Sequence, residues 1–211
     1  MSAARDADAA RIHPTALVED GVQIGDRTAV WDHAHLRGPS LIGHDCIIGE
    51  KTYVAYGVEI GNFVKINAMV YIPTGITIAD RVMIGAGVIF TNDRYPRAFA
   101  DGVDGLASSA PGEDTMCGRV EEGATIGAGA RIGPGLIIGA YAMVGMGAVV
   151  TADVPSHALV TGNPARVRDW VCVCGRPLRG ADADERLTCT GCGRRFGWAD
   201  DEDGRMVQCH D

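Results

Sequence analysis

The chain has 211 residues, enough for one substantial domain and a small appendage. A net charge of −8 and a pI near 5.2 exclude a polyanion such as nucleic acid as the main ligand, because phosphate binding needs a basic face that this composition lacks. The opening MSAARDADAA is polar and acidic and holds no apolar segment of a secretory signal, so a cytoplasmic location is expected.

Residues 1–11 are expected to form a flexible N-terminus. Beyond them an aliphatic residue returns every six positions: Ile12, Val18, Ile24 and Val30 open a series that runs to Phe90, and the same beat resumes from Val120 to Val150. A period of six fits neither an amphipathic helix nor a simple strand. It fits a chain that turns a corner every six residues and stacks each coil on the last, an all-β parallel solenoid. Counting from the aliphatic residue, position 2 is mostly small (Gly25, Gly43, Gly61, Gly127), as a corner with special backbone angles would require. Position 5 is small or β-branched (Ala16, Thr28, Cys46, Val64, Ala124), so positions 1 and 5 are expected to point inward. From Ile132 to Ala152 the chain is uncharged and long enough to cross a bilayer. It nonetheless keeps the six-residue beat and carries Gly133, Gly135, Gly139, Gly145 and Gly147, so a solenoid segment is expected there and no membrane span.

This two-position pattern resembles the hexapeptide-repeat acyltransferase family over most of residues 12–155. The resemblance implies a left-handed parallel β-helix with three flat faces and about three hexads per coil, and homotrimers with active sites between neighbouring subunits. The hand comes from the resemblance, since periodicity does not give it. Three hexads per coil would place residues eighteen apart above one another, making His35, Tyr53, Tyr71 and Ile89 an outward column. That column reads either as an aromatic ladder in a subunit interface or as a ligand wall. His33, in the stack with Lys51 and Met69, reads as a solvated or interface histidine.

Between Phe90 and Val120 the period is lost, and residues 91–119 form an inserted loop rich in Gly, Pro, Asp and Ser. Its first part, Thr91 to Arg97, concentrates hydrogen-bonding and cationic groups and reads as the site; the rest reads as a lid or arm. Phe90 to Arg97 (FTNDRYPR), followed by Gly162 to Arg166 (GNPAR), looks like the hexapeptide N-acetyltransferases of nucleotide-linked amino sugars, such as those acting on UDP-2-acetamido-3-amino-2,3-dideoxyglucuronate. The resemblance implies direct transfer from acetyl-CoA, in a ternary complex, to the amine of a UDP- or dTDP-linked sugar destined for polysaccharide or glycosylated products. It also implies that Asn92 and Asp93 contact the sugar, that Arg94 and Arg97 meet the diphosphate, that Gly145 and Gly147 line the CoA cleft, and that Arg166 meets a CoA phosphate. Tyr71, on the ligand-wall reading of the outward column, would be a further substrate contact. Asn92 reads equally as a turn residue bonding its own backbone.

The loop contains no histidine to serve as a base. His35, by its place in the column, and His44, at a corner, are the candidates; His157 follows the last coil and His210 lies in the tail. Alternatively no protein base is needed, since a sugar amine is partly neutral near pH 7 and the departing thiolate can accept the proton.

After Trp170 the composition changes, and residues 170–211 read as a separate module following the 12–169 solenoid domain. Cys172 and Cys174, then Cys189 and Cys192, form two close pairs, each followed by glycine, as in a tetrahedral zinc ribbon. A short tail buries too little surface to fold unaided, so structural zinc would supply the missing stability. Cys172 and Cys174 are one residue closer than a regular pair, leaving Cys209 or His210 as a possible substitute ligand. Cys46 is expected to be inert core and Cys117 an exposed thiol. The competing functional readings are O-acyl transfer to a sugar or small alcohol, which needs a base, and a non-catalytic scaffold or carbonic-anhydrase-like solenoid, for which the histidine spacing fits poorly.

Overall fold

The computed structural model describes residues 8–99, 102, 104–108, 110–181, 186–198 and 206–208. From Arg11 to Val150 the chain winds through three parallel sheets, with strands of two or three residues joined by tight corners. The first sheet runs from Arg11–Ile12 through Lys65–Ile66 to Met143–Val144, the second from Leu17–Val18 through Tyr71–Ile72 to Val149–Val150, and the third from Val22–Ile24 through Ile76–Ile78 to Ile137–Ile138. Each strand pairs in parallel with its counterpart one coil away: Lys65 with Ile47 and Met83, Tyr71 with Tyr53, Thr77 with Glu59. Partners eighteen apart mean that every hexad position stacks on its own kind, which is how a six-residue beat becomes a continuous core.

Positions 1 and 5 fill that core. Leu36, Ile48, Ile66, Ile72, Ile84 and Ile126 are fully buried, and Val58, Val64, Val88, Ala124 and Ala130 lie between them. Burying each large aliphatic side chain contributes about 1.5–3 kcal/mol. Among the described residues no coil lies beneath the first, and Ile12 is 47% exposed. Residues at the end of the expected flexible segment bond the second coil: Arg11 N–H donates to Thr28 O, and Arg27 N–H to Asp8 O. Residues 1–7 of that segment lie outside the described residues. Buried polar groups at position 5 are satisfied across coils: Thr28 Oγ1 donates to Gly43 O and accepts from Cys46 N–H. Burial pushes the Cys46 thiol pKa up, so it stays a protonated core residue, as expected.

The corners correct one expectation. The left-handed backbone conformation falls at position 4, not position 2, and non-glycine residues adopt it at His33, Lys51, Met69, Arg27 and Asp45. The position-2 glycines answer a different need. A Cβ on Gly43 would lie 2.4 Å from Gly61 O, and one on Gly127 would lie 2.5 Å from Met146 N, so they permit close stacking of successive coils.

The uncharged stretch from Ile132 to Ala152 contributes strands to all three sheets. Among the described residues no helix is long and apolar enough to cross a membrane. Beyond Val150, strand Ala158–Thr161 extends the first sheet in parallel and Arg166–Trp170 turns back antiparallel to it. A four-stranded antiparallel sheet follows: Leu178–Ala181, Leu187–Cys189, Arg195–Trp198 and Met206–Gln208. Its apolar cluster comprises Cys172, Leu178, Cys189, Phe196 and Met206, with Trp170 shared with the solenoid core.

His157 forms the joint between the two parts. It is buried, stacks on Tyr141 at 5.4 Å and meets Phe196 edge-on at 5.0 Å. Its Nδ1 lies 2.9 Å from Val171 O, which can only accept, so Nδ1 carries the proton.

Candidate active site

The inserted loop leaves and rejoins the solenoid at the corner between the second and third sheets. Its base is pinned: Asp93 bridges Thr115, and Met116 N–H donates to Asn92 O at 2.8 Å. Further out, Phe99 bridges Leu106. The loop thereby covers a cavity of about 310 Å³. Three neighbouring columns of the solenoid make its floor: Tyr53 and Tyr71 from the second sheet, then Arg37, Ala55 and Pro73, then Tyr56, Thr74 and Asn92 around the corner. Ser108, Ala110, Pro111 and Thr115 of the returning loop form the other wall, so the loop's second half builds the cavity as well as its first.

The side chains in the floor are fixed by their stacking. Tyr53 and Tyr71 lie parallel with ring centroids 5.1 Å apart. Thr74 Oγ1 donates to Tyr56 O at 2.9 Å, and Asn92 Nδ2 donates to Thr74 O at 2.9 Å, each reaching one coil down. Asn92 thus bonds the coil below rather than its own turn, and among the described residues its Oδ1 has no hydrogen-bond partner. Asp93 Oδ1 accepts the Tyr95 N–H, which shapes the loop and leaves the second carboxylate oxygen available. Arg37 sits at the foot of the cavity, its guanidinium 5.3 Å from the Tyr56 ring centroid. Arg37 Nε donates to Glu19 Oε1 at 3.2 Å, and Glu19 also holds His35 Nε2 at 2.8 Å. The His35 hydrogen bond, followed by Arg37, lowers the Glu19 pKa, so the carboxylate is ionised.

The predicted residues divide into groups. Tyr71, Asn92 and Asp93 meet in one cavity. His35 does not line it: the ring lies behind Tyr53, edge-on at 5.5 Å. Arg97 lines a second cavity of about 400 Å³ within the loop, beside Glu113 and Asp114, and donates to Pro96 O. Arg94 lines neither cavity. His44 is occupied at its own corner by Asp45 at 2.7 Å. The sequence reading assigned no role to Arg37, Tyr56, Thr74, Ser108 or Thr115; for the first three, stacking at eighteen residues was the available signal.

Gly145, Gly147 and Arg166 lie at the other edge of the second sheet, around its corner with the first. There Gly87, Gly129 and Gly147 stack in the left-handed conformation with φ of 69°, 72° and 68°. A Cβ on any of them would meet nothing within 4 Å. Non-glycine residues hold the same corner conformation in earlier coils, so these three glycines leave a bare strip of backbone beyond what the turn demands. Gly145 differs, because a Cβ there would meet Thr161 Cγ2 at 2.7 Å. Thr161 pairs with Arg166, and Ala165 N–H donates to Val149 O, which brings the Gly162–Arg166 segment over the end of the second sheet.

In the C-terminal module the sulfurs of Cys172, Cys174, Cys189 and Cys192 all lie within 4.8 Å of one another, a cluster able to hold a metal ion. Cys172 and Cys192 Sγ are 3.5 Å apart, as are Cys174 and Cys189 Sγ. Tetrahedral thiolate bonds of about 2.3 Å require sulfur separations of roughly 3.8 Å, so the set fits. The Arg194 backbone N–H and its guanidinium hold the Cys192 pKa down to about 6, while burial pushes Cys172 up to about 12. A coordinated cation overrides that burial penalty by deprotonating the thiol. The close spacing of Cys172 and Cys174 is absorbed by a turn in which Gly175 N–H donates to Cys172 O. Cys209 and His210 lie outside the described residues. Cys117 is an exposed thiol, as expected.

Comparison with known proteins agrees with this architecture. Residues 118–152 match the family model for the bacterial transferase hexapeptide (six repeats), and residues 39–73 match that for the hexapeptide repeat of succinyl-transferase. The dTDP-3-amino-3,6-dideoxy-alpha-D-galactopyranose 3-N-acetyltransferase of Aneurinibacillus thermoaerophilus is 40% identical over 81 residues, 38% of this chain and 41% of that one. The acyl-[acyl-carrier-protein]–UDP-N-acetylglucosamine O-acyltransferase of Brucella ovis is 34% identical over 55 residues, 26% of this chain and 20% of that one. Among solved structures, PerB from Caulobacter crescentus, in complex with CoA and GDP-perosamine, aligns at 25% identity over 77% of this chain and 58% of that one, with a TM-score of 0.43. The chain thus spans well under two thirds of the length of these relatives. Both matched segments carry transferase hexapeptide repeats, and part of the chain resembles a nucleotide-linked amino-sugar N-acetyltransferase.

Proposed function

We propose that this protein is an acetyl-CoA-dependent N-acetyltransferase acting on the amine of a nucleotide-linked amino sugar. The observation that carries the reading is the loop-covered cavity in which Asn92 and Asp93 stand beside the Tyr53–Tyr71 wall. The 40% identity to a dTDP-amino-sugar N-acetyltransferase supports the choice of acceptor. In this reading the tyrosine faces pack the sugar, the Asn92 amide orients it and the Asp93 carboxylate holds the amine. The amine nitrogen bonds to the thioester carbonyl carbon, the carbon–sulfur bond breaks, and the amine proton passes to the departing sulfur. Alignment supplies the rate, because His35 is tied to Glu19 and screened by Tyr53.

The bare strip at Gly87, Gly129 and Gly147 is the place for the pantetheine arm, with Arg166 near its phosphate end. Strip and cavity lie at opposite edges of one sheet, so a neighbouring copy must set its strip against this cavity; a homotrimer does so three times. Zinc held by Cys172, Cys174, Cys189 and Cys192 has a structural role in the C-terminal module.

The test is turnover with acetyl-CoA and a dTDP- or UDP-linked amino sugar. Asn92→Ala is expected to lower kcat/KM on the order of a hundredfold, the cost of a misplaced substrate. Unchanged turnover in that variant would remove Asn92 from the site.

A further inference from the structure

We infer that Arg37 is the group that reads the negative charge of the acceptor, a nucleotide diphosphate or a sugar carboxylate, in the loop-covered cavity. The inference rests on the amino-sugar reading for the identity of the acceptor, and on the following features of the cavity for the residue.

Arg37 is the one cation among the described residues lining the cavity, and Asp93 is the one carboxylate. In a chain of net charge −8 the overall field repels an anion, so affinity for one must come from a local guanidinium. Arg94 and Arg97 were the expected partners of a diphosphate, but neither reaches this cavity. Arg37 is also preorganised. Glu19 takes its Nε, His35 holds Glu19 in turn, and the Tyr56 ring lies against the guanidinium. Tyr53, then Glu19, raise its already high pKa, so its charge is constant at any working pH. Five N–H donors exceed the Nε that Glu19 uses, and the planar fork suits two oxygens of a phosphate or a carboxylate.

The geometry sets the order of contacts. Above Arg37 in its column stand Ala55 and Pro73, which offer no side-chain polar group and leave a smooth channel up to Asn92. Arg37 lies three coils below the level of Asn92, roughly 14 Å at about 4.8 Å per strand spacing, less the reach of the arginine side chain. An amine held at Asn92 and Asp93 thus places an anionic group beyond the sugar ring toward Arg37.

Calorimetric titration of the full-length protein with UDP, dTDP, UDP-glucose and UDP-glucuronate tests this without requiring turnover. The wild type is expected to bind. Arg37→Gln is expected to weaken binding at least tenfold, Arg37→Lys to fall between the two, and Lys65→Gln, on the first sheet, to match the wild type as a control for net charge; circular dichroism checks the fold. Loss of UDP and dTDP binding in Arg37→Gln assigns the diphosphate. A loss confined to UDP-glucuronate, with UDP-glucose unaffected, assigns the carboxylate. Binding in Arg37→Gln within twofold of wild type for every ligand overturns the inference, as does a wild type that binds none of them. Acetyl transfer with Arg37-insensitive binding would reject this role and keep the proposed function. Arg37-dependent binding with no transfer to any amino sugar would do the reverse.

Discussion

The solenoid and the C-terminal module hold themselves together by opposite means. In the solenoid one uninterrupted cluster runs from Val30 to Val160, and each coil supports the next through the same inward positions. In the module the cluster is Leu178, Phe196 and Met206 with two of the sulfurs, Cys172 and Cys189, and the sheet is short. Repetition distributes stability along the chain, whereas in the proposed reading the small module depends on a metal held at its four cysteines. His157 joins the two, with one face against Tyr141 of the last coils and the other against Phe196 of the module.

Breaking the metal site is the strongest test of that contrast. Structural zinc in small domains is worth about 10–16 kcal/mol in apparent terms. Chelation, or Cys189→Ser, is therefore expected to unfold the module and separate Trp170 from Trp198, whose rings now lie 4.7 Å apart. Tryptophan fluorescence should change while the far-ultraviolet signal of the solenoid persists. Zinc content should be one per chain, and a module unaltered by complete chelation would refute a metal-held fold. Next in size is Ile66→Ala, in the solenoid core. The lost methylenes and the cavity left behind should cost about 2–5 kcal/mol in a denaturant titration.

The joint supplies a test by pH. Burial lowers the His157 pKa below its ordinary 6.5, so the unfolded chain binds the proton first as pH falls. The stabilisation is complete above pH 6.5 and is lost as pH drops from there through the lower folded-state value. The slope is at most about 1.4 kcal/mol per pH unit for one proton. A His157→Asn variant should flatten that part of the stability profile, and an unchanged slope would take the histidine out of the account.

Two smaller effects separate scaffold from site. Asn tolerates the left-handed corner conformation, so Gly147→Asn should leave thermal stability nearly intact. It should still weaken CoA binding about tenfold, or ~1.4 kcal/mol, by filling the bare strip. Equal binding would show that the strip is not a CoA surface. His35→Gln should change kcat less than about threefold, against the 10²- to 10⁴-fold loss expected of a general base. A loss in that larger range would make His35 the base and favour the O-acyl reading.

The contrast also explains what the amino-acid sequence disclosed. The aliphatic beat determines which residues face inward, because stacking at eighteen makes each position repeat its environment; Ile66, Val64 and the Tyr53–Tyr71 column follow directly. The same stacking places Arg37 below Ala55 and Pro73, information present in the sequence outside the loop. The directions of Arg94 and Arg97 were not legible, since the loop has no period and its course depends on bridges such as Asp93 to Thr115. The position-2 glycines are identifiable in the sequence as corner residues, but the reason for them is not. Spacing alone does not distinguish a strained backbone from the close approach of the next coil, and here the approach decides. For the four cysteines, pairing in sequence sufficed to expect one cluster, and their sulfurs do lie within 4.8 Å of one another.

The most direct test of the central claim is to incubate the full-length protein with acetyl-CoA and a panel of dTDP- and UDP-linked 3-amino and 4-amino sugars, following thiol release and product mass. The account predicts acetylation of the amine of at least one member, with release of one thiol per product. Measurable CoA binding with no acetylated product from any member would contradict it.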